Sequence, residues 1–222
     1  MPVSCPPPQL VIFDCDGVLV NSEPIFNRVL HEFLLSVGAK LSFQDCCDEF
    51  TGKSRHDVER YLTDQCLKFP RDWSEQFYEQ ALGALHEEVK PIQGVRNALQ
   101  VLINSNISVC VASNGLMKKM HVTLERTGML PWFIGNMYSA YDVGASKPAP
   151  DVFLHAAKAN GIQPEHCVVV EDSPTGFAAA ARASMTCLAY VPDGTKQPQD
   201  LFEAHPFSDM EALPHMLGIT TE

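Results

Sequence analysis

Short apolar runs alternate with helical patterns along most of the chain. The apolar runs are typical of buried strands, whereas the segments between them repeat apolar residues with the period of an amphipathic helix. Strands that alternate with helices predict right-handed β-α-β units and a parallel sheet. The predicted strands cover residues 9–13, 107–112, 137–140, 166–170 and 186–191, and the predicted helices between them cover residues 95–102, 117–126, 152–159 and 174–183.

The segment that follows the first predicted strand has a different pattern. Ser22 is predicted to cap a helix that ends at Gly38, and only helical patterns and polar turns follow as far as Val89. We therefore predict an α/β fold, a doubly wound parallel sheet into which an all-helical domain is inserted. The predicted α/β core comprises residues 1–20 and 90–222, and the predicted insert comprises residues 21–89.

Polar side chains lie at the ends of the predicted strands, where open α/β sheets bind their ligands. Acidic residues follow the first and fourth strands, a Ser-Asn-Gly turn follows the second, and one lysine lies in a proline-containing loop. Because the carboxyl ends of parallel strands share one edge of a sheet, we expect these residues to meet. They are Asp14, Asp16, Ser113, Asn114, Lys147, Glu171 and Asp172.

This combination of side chains suits phosphoryl transfer. The carboxylates of Asp14 and Asp172 are hard oxygen ligands of the kind that Mg²⁺ prefers, and an aspartate can also attack phosphorus. Asp16 is placed to act as an acid on the leaving oxygen and then as a base on water. Ser113, Asn114 and Lys147 are candidates for binding the phosphoryl oxygens. Each cluster alone is typical of an ordinary turn or helix start, so the prediction depends on their combination.

Composition narrows the classes of partner. The formal net charge of −11 disfavours a broad cationic surface for nucleic acid, so a phosphate site must be positive only locally. No apolar stretch approaches the ~20 residues that span a bilayer, and the N-terminus lacks the pattern of a signal peptide. The 8 cysteines contain no C-x-x-C spacing and predict buried thiols of a cytoplasmic protein. We expect a monomer that binds a small phosphorylated metabolite, without nucleic acid or membrane.

The sequence resembles the haloacid dehalogenase-like hydrolase superfamily, in the subgroup whose helical cap lies between the first and second motifs. Residues 13–20 (FDCDGVLV), 109–115 (VCVASNG), the Lys147 loop and residues 168–176 (VVVEDSPTG) are similar to the four motifs, in order. The resemblance implies that Asp14 is the nucleophile and Asp16 the acid/base. It also implies that Mg²⁺ is held by the side chains of Asp14 and Asp172 and the main-chain carbonyl of Asp16, with Glu171 beside these ligands.

Within the superfamily, the chain is similar to the β-phosphoglucomutase-like group and to the 6-phosphogluconate phosphatase type. The cap loop TGKSR at residues 51–55 matches a loop that supplies substrate contacts in this group, which makes Lys53 and Arg55 candidates for substrate specificity. The same residues are equally compatible with a surface turn in which Ser54 caps the next helix. One departure from the family pattern is Ser184, at a helix end where glycine is usual.

Phosphatase activity on a sugar phosphate or sugar-acid phosphate, such as 6-phosphogluconate, is the leading hypothesis. A phosphomutase of the β-phosphoglucomutase type uses the same motifs, but no cap Lys and His pair for shielding the phospho-enzyme is evident. A dehalogenase does not need Asp16 or Asp172. A non-enzymatic receiver places its second acidic site before the hydroxyl residue and lacks so long an insert. A catalytically inactive scaffold is disfavoured because every reactive group is present.

Overall fold

A parallel sheet sets the positions of the candidate catalytic, phosphate-binding and metal-binding residues. The structure, a computed structural model, describes residues 7–195 and 198–219. The six strands are parallel and lie in the order β3-β2-β1-β4-β5-β6, with the first strand in the interior of the sheet. Their bounds are β1 Leu10–Phe13, β2 Ser108–Ser113, β3 Met137–Ser139, β4 Cys167–Glu171, β5 Thr186–Tyr190 and β6 His205–Phe207. The predicted fold class, a doubly wound parallel sheet, is confirmed.

Helices connect the strands and form the insert. Those that lie before the second strand are α1 Glu23–Ser36, α2 Phe43–Phe50, α3 Arg55–Asp64, α4 Trp73–Glu88 and α5 Val95–Asn104. Those that follow it are α6 Met117–Arg126, α7 Ala140–Val143, α8 Asp151–Ala159, α9 Pro174–Arg182 and α10 Leu213–Met216. No helix in the described part of the chain is both long enough and apolar enough to cross a bilayer.

The chain divides into two compact units. One comprises residues 1–21 and 91–222, and the other comprises residues 22–90, so each boundary lies one residue after the predicted one. In the first unit, the two segments that flank residues 22–90 lie side by side. The amide of Ile92 donates to the carbonyl of Leu19 at 3.0 Å.

The α/β unit buries the central strand on both faces. All four residues of β1 are fully buried, which explains why this strand reads as a continuous apolar run rather than an alternating one. Phe13 at its end is in register with Val111 of β2 and with Val170 of β4. β2 and β4 continue two residues and one residue further, so Ser113 and Glu171 at their ends lie at the same edge of the sheet as Asp14, which follows β1.

The helical unit has its own apolar core around Trp73. The Trp73 indole stacks on Phe33 with ring centroids 5.0 Å apart, and its ring lies edge-on to Phe69. Helices α2 and α3 both begin with capping boxes, Ser42 with Asp45 and Ser54 with Asp57. At the start of α1, however, the side chain of Ser22 makes no capping hydrogen bond, so that detail of the prediction is wrong.

The end of α9 carries a strained residue. Ser184, which follows Ala183 at the end of the helix, has φ of +57°, a left-handed conformation that costs a residue with a Cβ atom roughly 1–2 kcal/mol. Its amide and that of Met185 donate to the carbonyls of Ala181 and Ala180, as in a Schellman motif. This strain is a physical reason why glycine is usual at this position in the family that the sequence resembles.

We predict that Ser184→Gly raises the free energy of unfolding by about 0.5–1 kcal/mol, because the strain exceeds the extra chain entropy of glycine in the unfolded state. Ala183→Gly, one residue earlier at an ordinary φ of −79°, is the control and should lower stability. Urea unfolding measures both. A loss of stability in Ser184→Gly would contradict the strain argument.

Candidate active site

A buried lysine joins two carboxylates at the carboxyl edge of the sheet. Lys147 Nζ lies 2.5 Å from Asp14 Oδ1 and 2.8 Å from Glu171 Oε1. Only 2% of the Lys147 side chain is exposed, and its ammonium group lies 4.6 Å above the centre of the Phe153 ring. Asp14 follows β1, and its amide continues the ladder by donating to Val170 of β4. The first and fourth strands thus carry the two carboxylates to either side of one cation.

The loop that carries Lys147 is held in place by Asn114. The Asn114 side chain accepts from the amide of Lys147 at 2.8 Å and donates to its carbonyl at 3.3 Å. Asn114 therefore orients the lysine through its main chain. Its predicted contact with phosphate remains a prediction.

Glu171 is fixed at the start of α9. Its Oε2 accepts from the amides of Asp172 and Ser173, both at 2.7 Å, and from the Ser173 hydroxyl at 3.0 Å. Ser173 in turn caps the helix by accepting from the amide of Gly176. Donors at a helix N-terminus favour a negative charge, so Glu171 is an oriented anion whose other oxygen accepts from Lys147.

The turn after β1 passes close to Asp172 at Gly17. Cys15 accepts from the amides of Leu19 and Val20, which closes the turn, and Gly17 takes a left-handed φ of +79°. A methyl carbon on Gly17 would overlap the Asp172 carboxyl group, so only glycine permits this close approach. The turn after β1 and the residue after β4 therefore present oxygen atoms to the same space.

The loop after β2 completes this edge. Ser113 is buried, and its hydroxyl accepts from the amide of Gly115 at 3.0 Å, which leaves its own hydrogen for an acceptor. A methyl carbon on Gly115 would lie 3.3 Å from Ser113 Oγ and 3.5 Å from Asp16 Oδ2, so both side chains border the same glycine. The Ser139 hydroxyl donates to the Gly115 carbonyl and fixes the loop.

A second lysine at this edge was missed by the sequence analysis as a site residue. Lys119 Nζ, from the first turns of α6, lies 2.8 Å from Asp16 Oδ1. The sequence offers only a weak signal for this pair, namely a lysine six residues after Ser113. Which side of α6 faces the turn after β1 depends on the packing of the helix.

Burial and neighbouring charges shift the pKa values of the central pair. Burial, together with the charges of Glu171 and Asp16, raises the pKa of Asp14 to about 7 against the opposing effect of Lys147. Burial alone would lower the pKa of Lys147, but the carboxylates of Asp14 and Glu171 reverse this effect and raise it. Lys147 is therefore held in its charged form.

The donors at this edge fit Mg²⁺. Four carboxyl groups, those of Asp14, Asp16, Glu171 and Asp172, meet two ammonium groups, so full ionisation leaves an excess of two negative charges that a divalent cation would balance. Among the described residues, no group of three or more His, Cys, Asp or Glu is arranged to hold a metal. The ligands predicted for Mg²⁺ are two carboxylates and one main-chain carbonyl. This set does not require a third His, Cys, Asp or Glu side chain.

The two candidate specificity residues lie in the helical unit. Arg55 begins α3, where its Nε lies 2.8 Å from Glu59 Oε1 and its guanidinium lies 6.0 Å from the centre of the Trp73 ring. Ser54 caps this helix, as the alternative interpretation of the loop predicted. Lys53 is exposed in the preceding turn. The role of Lys53 and Arg55 in substrate binding remains a prediction.

Comparison with known proteins identifies the family. Residues 8–184 match the family model of the haloacid dehalogenase-like hydrolases. The chain belongs to this family. It is 27% identical over 210 residues to 6-phosphogluconate phosphatase of Escherichia coli K12, covering 94% of each chain. It is 29% identical over 194 residues to hexitol phosphatase B of the same organism, covering 85% of this chain and 86% of the relative.

A solved structure extends the likeness to three dimensions. A haloacid dehalogenase family hydrolase from Deinococcus radiodurans R1, with bound phosphate and sodium, is 30% identical. The match has a TM-score of 0.81 and covers 98% of this chain and all of the other. Family membership and the named phosphatase relatives identify this hydrolase as an enzyme that cleaves phosphoric monoesters.

Gly176 offers a test of the Glu171 geometry. A methyl carbon on Gly176, in the first turn of α9, would overlap the Glu171 carboxyl group. Alanine normally stabilises a helix relative to glycine by about 0.5–1 kcal/mol. We predict that Gly176→Ala instead lowers the free energy of unfolding by about 1–3 kcal/mol, because the added methyl group displaces the Glu171 carboxyl group. It should also lower kcat by roughly tenfold or more, because Glu171 no longer orients Lys147.

The matched control for this variant is Gly83→Ala. Gly83 is an exposed glycine of α4 with nothing within 4 Å of an added methyl group, so its substitution should be neutral or stabilising. Urea unfolding and steady-state kinetics measure both variants. If Gly176→Ala were as stable and as active as Gly83→Ala, the close approach of Glu171 would be wrong.

Proposed function

We propose that the protein is a magnesium-dependent phosphatase that hydrolyses a small sugar phosphate or sugar-acid phosphate through an aspartyl-phosphate at Asp14. The observation that carries this proposal is the ion triad in which Lys147 joins Asp14 and Glu171 beyond the ends of β1 and β4. It combines a nucleophilic carboxylate with a fixed cation for the phosphoryl oxygens.

Each residue has a distinct task in the proposed reaction. An Asp14 oxygen attacks phosphorus, while Asp16 donates a proton to the leaving oxygen. Asp16 then takes a proton from the water that releases phosphate and restores Asp14. Lys147 and Ser113 bind the phosphoryl oxygens, and Asn114 and Glu171 keep Lys147 in position. Mg²⁺, held by Asp14, Asp172 and the carbonyl of Asp16, would neutralise charge on the phosphoryl group when bound.

The relatives support the substrate class. One is a 6-phosphogluconate phosphatase and another a hexitol phosphatase, and a similar solved structure contains bound phosphate. We propose that residues 22–90 act as the cap domain that selects the substrate, with Lys53 and Arg55 contacting its far end. The described cysteines are all free thiols, which supports a reducing compartment such as the cytosol.

The nucleophile is tested by Asp14→Asn. We predict a loss of kcat of at least about 10³-fold, because the amide cannot form the covalent intermediate, with little change in melting temperature. Asp151→Asn, an exposed acid in the first turn of α8, is the control and should retain full activity. Substantial turnover by a pure Asp14→Asn sample would rule out the covalent mechanism.

The metal site is tested by thermal unfolding as well as by activity. We predict that Mg²⁺ raises the melting temperature of the wild-type protein, since a ligand that binds only the folded state stabilises it. The same addition should leave Asp172→Asn unshifted, and a chelator should stop wild-type turnover. Metal-independent hydrolysis, or an equal shift in the variant, would contradict the assigned ligands.

Substrate class is tested by phosphate release from sugar phosphates, 6-phosphogluconate, hexitol phosphates and nucleotides, with and without Mg²⁺. We predict metal-dependent release from the sugar, sugar-acid or hexitol phosphates in preference to nucleotides. Conversion of β-glucose 1-phosphate to the 6-phosphate without net release would instead identify a phosphomutase.

A further inference from the structure

Lys119 occupies a position that the stability of its own helix does not explain. It lies in the first turns of α6, where the helix dipole disfavours a positive charge. Its backbone is anchored by the packing of α6, in which the neighbouring Met120 is buried and the Thr123 hydroxyl donates to the Lys119 carbonyl. The adjacent Lys118 is exposed, whereas the Lys119 side chain is only 13% exposed.

Lys119 forms an ion pair with the carboxylate assigned the proton transfers. Lys119 Nζ lies 2.8 Å from Asp16 Oδ1, and the Asp16 side chain is 23% exposed. The other oxygen, Oδ2, borders Gly115 beside the buried hydroxyl of Ser113. The ion pair thus fixes one oxygen of Asp16, while the second lies beside the loop after β2. Partial exclusion of water makes such a pair stronger than one on the surface.

We propose that Lys119 is a positioning residue that holds the Asp16 carboxyl group in the orientation required for its two proton transfers. The proposal rests on the function proposed above. In the first step a bond forms between Asp14 and phosphorus, the bond to the leaving oxygen breaks, and Asp16 supplies the proton that this oxygen takes up. In the second step water bonds to phosphorus, the bond to Asp14 breaks, and the proton of water passes to Asp16.

A substrate with a good leaving group separates these two steps. p-Nitrophenolate leaves without a proton, so the first step on p-nitrophenyl phosphate does not depend on Asp16, whereas attack by water still does. With enzyme in excess, rapid mixing follows one turnover by two signals. Release of nitrophenolate reports the first step, and release of inorganic phosphate reports the second.

We expect Lys119→Met to release nitrophenolate within twofold of the wild-type rate but inorganic phosphate at least about tenfold more slowly. On a sugar phosphate the same variant should lose kcat with little change in KM. Lys119→Arg should recover most of the rate, and Lys119→Gln repeats the comparison with a neutral polar side chain. Lys118→Met removes the same charge from the neighbouring exposed residue and should match wild type in every measurement.

Three results would overturn the role of Lys119. Equal slowing of both signals, with a lowered melting temperature, would identify a structural residue. A raised KM with unchanged kcat on the sugar phosphate would identify a substrate contact, and wild-type rates for both signals would leave Lys119 without a role in catalysis. Rapid nitrophenolate release by Asp14→Asn would instead overturn the nucleophile itself, whichever result the Lys119 variants give.

Discussion

The buried ion triad of Asp14, Lys147 and Glu171 is the interaction on which the rest of the site depends. A buried ammonium group and two buried carboxyl groups are costly unless each is paired and hydrogen-bonded. Here Lys147 serves both carboxylates, and Glu171 also accepts from two amides and a hydroxyl. Removing Lys147 would leave two buried carboxyl groups without their cation, at a cost of roughly 3–5 kcal/mol. The triad therefore couples the chemistry of the site to the stability of the fold.

The parallel sheet makes this arrangement possible. Residues far apart in sequence meet because the carboxyl ends of β1, β2 and β4 lie at one edge of the sheet, and polar side chains stand at or directly after each strand end. Two glycines then allow close contacts at this edge. Gly17 lies against the Asp172 carboxyl group, and Gly176 lies against the Glu171 carboxyl group. The site is thus built from rigid strand ends and helix starts, which holds the proposed nucleophile and its cation in fixed positions.

Much of the fold and of the candidate site was predictable because its signals are local. The apolar run before Asp14 marks a strand buried on both faces, and the acidic pair Glu171 and Asp172 lies where β4 meets a capped helix. The strand β6 escaped prediction because it is three residues long and contains Pro206, which only an edge strand tolerates readily. The pairing of Lys119 with Asp16 could not be predicted, since it depends on how α6 packs.

The central claim, that Asp14 carries the phosphoryl group, is tested most directly by trapping. Enzyme quenched in acid during turnover of a sugar phosphate is reduced with borohydride, which converts an aspartyl-phosphate to homoserine, and is then analysed by peptide mass spectrometry. We expect homoserine at position 14 and at no other aspartate. Rapid turnover with an unmodified Asp14, or with the modification at another residue, would contradict it.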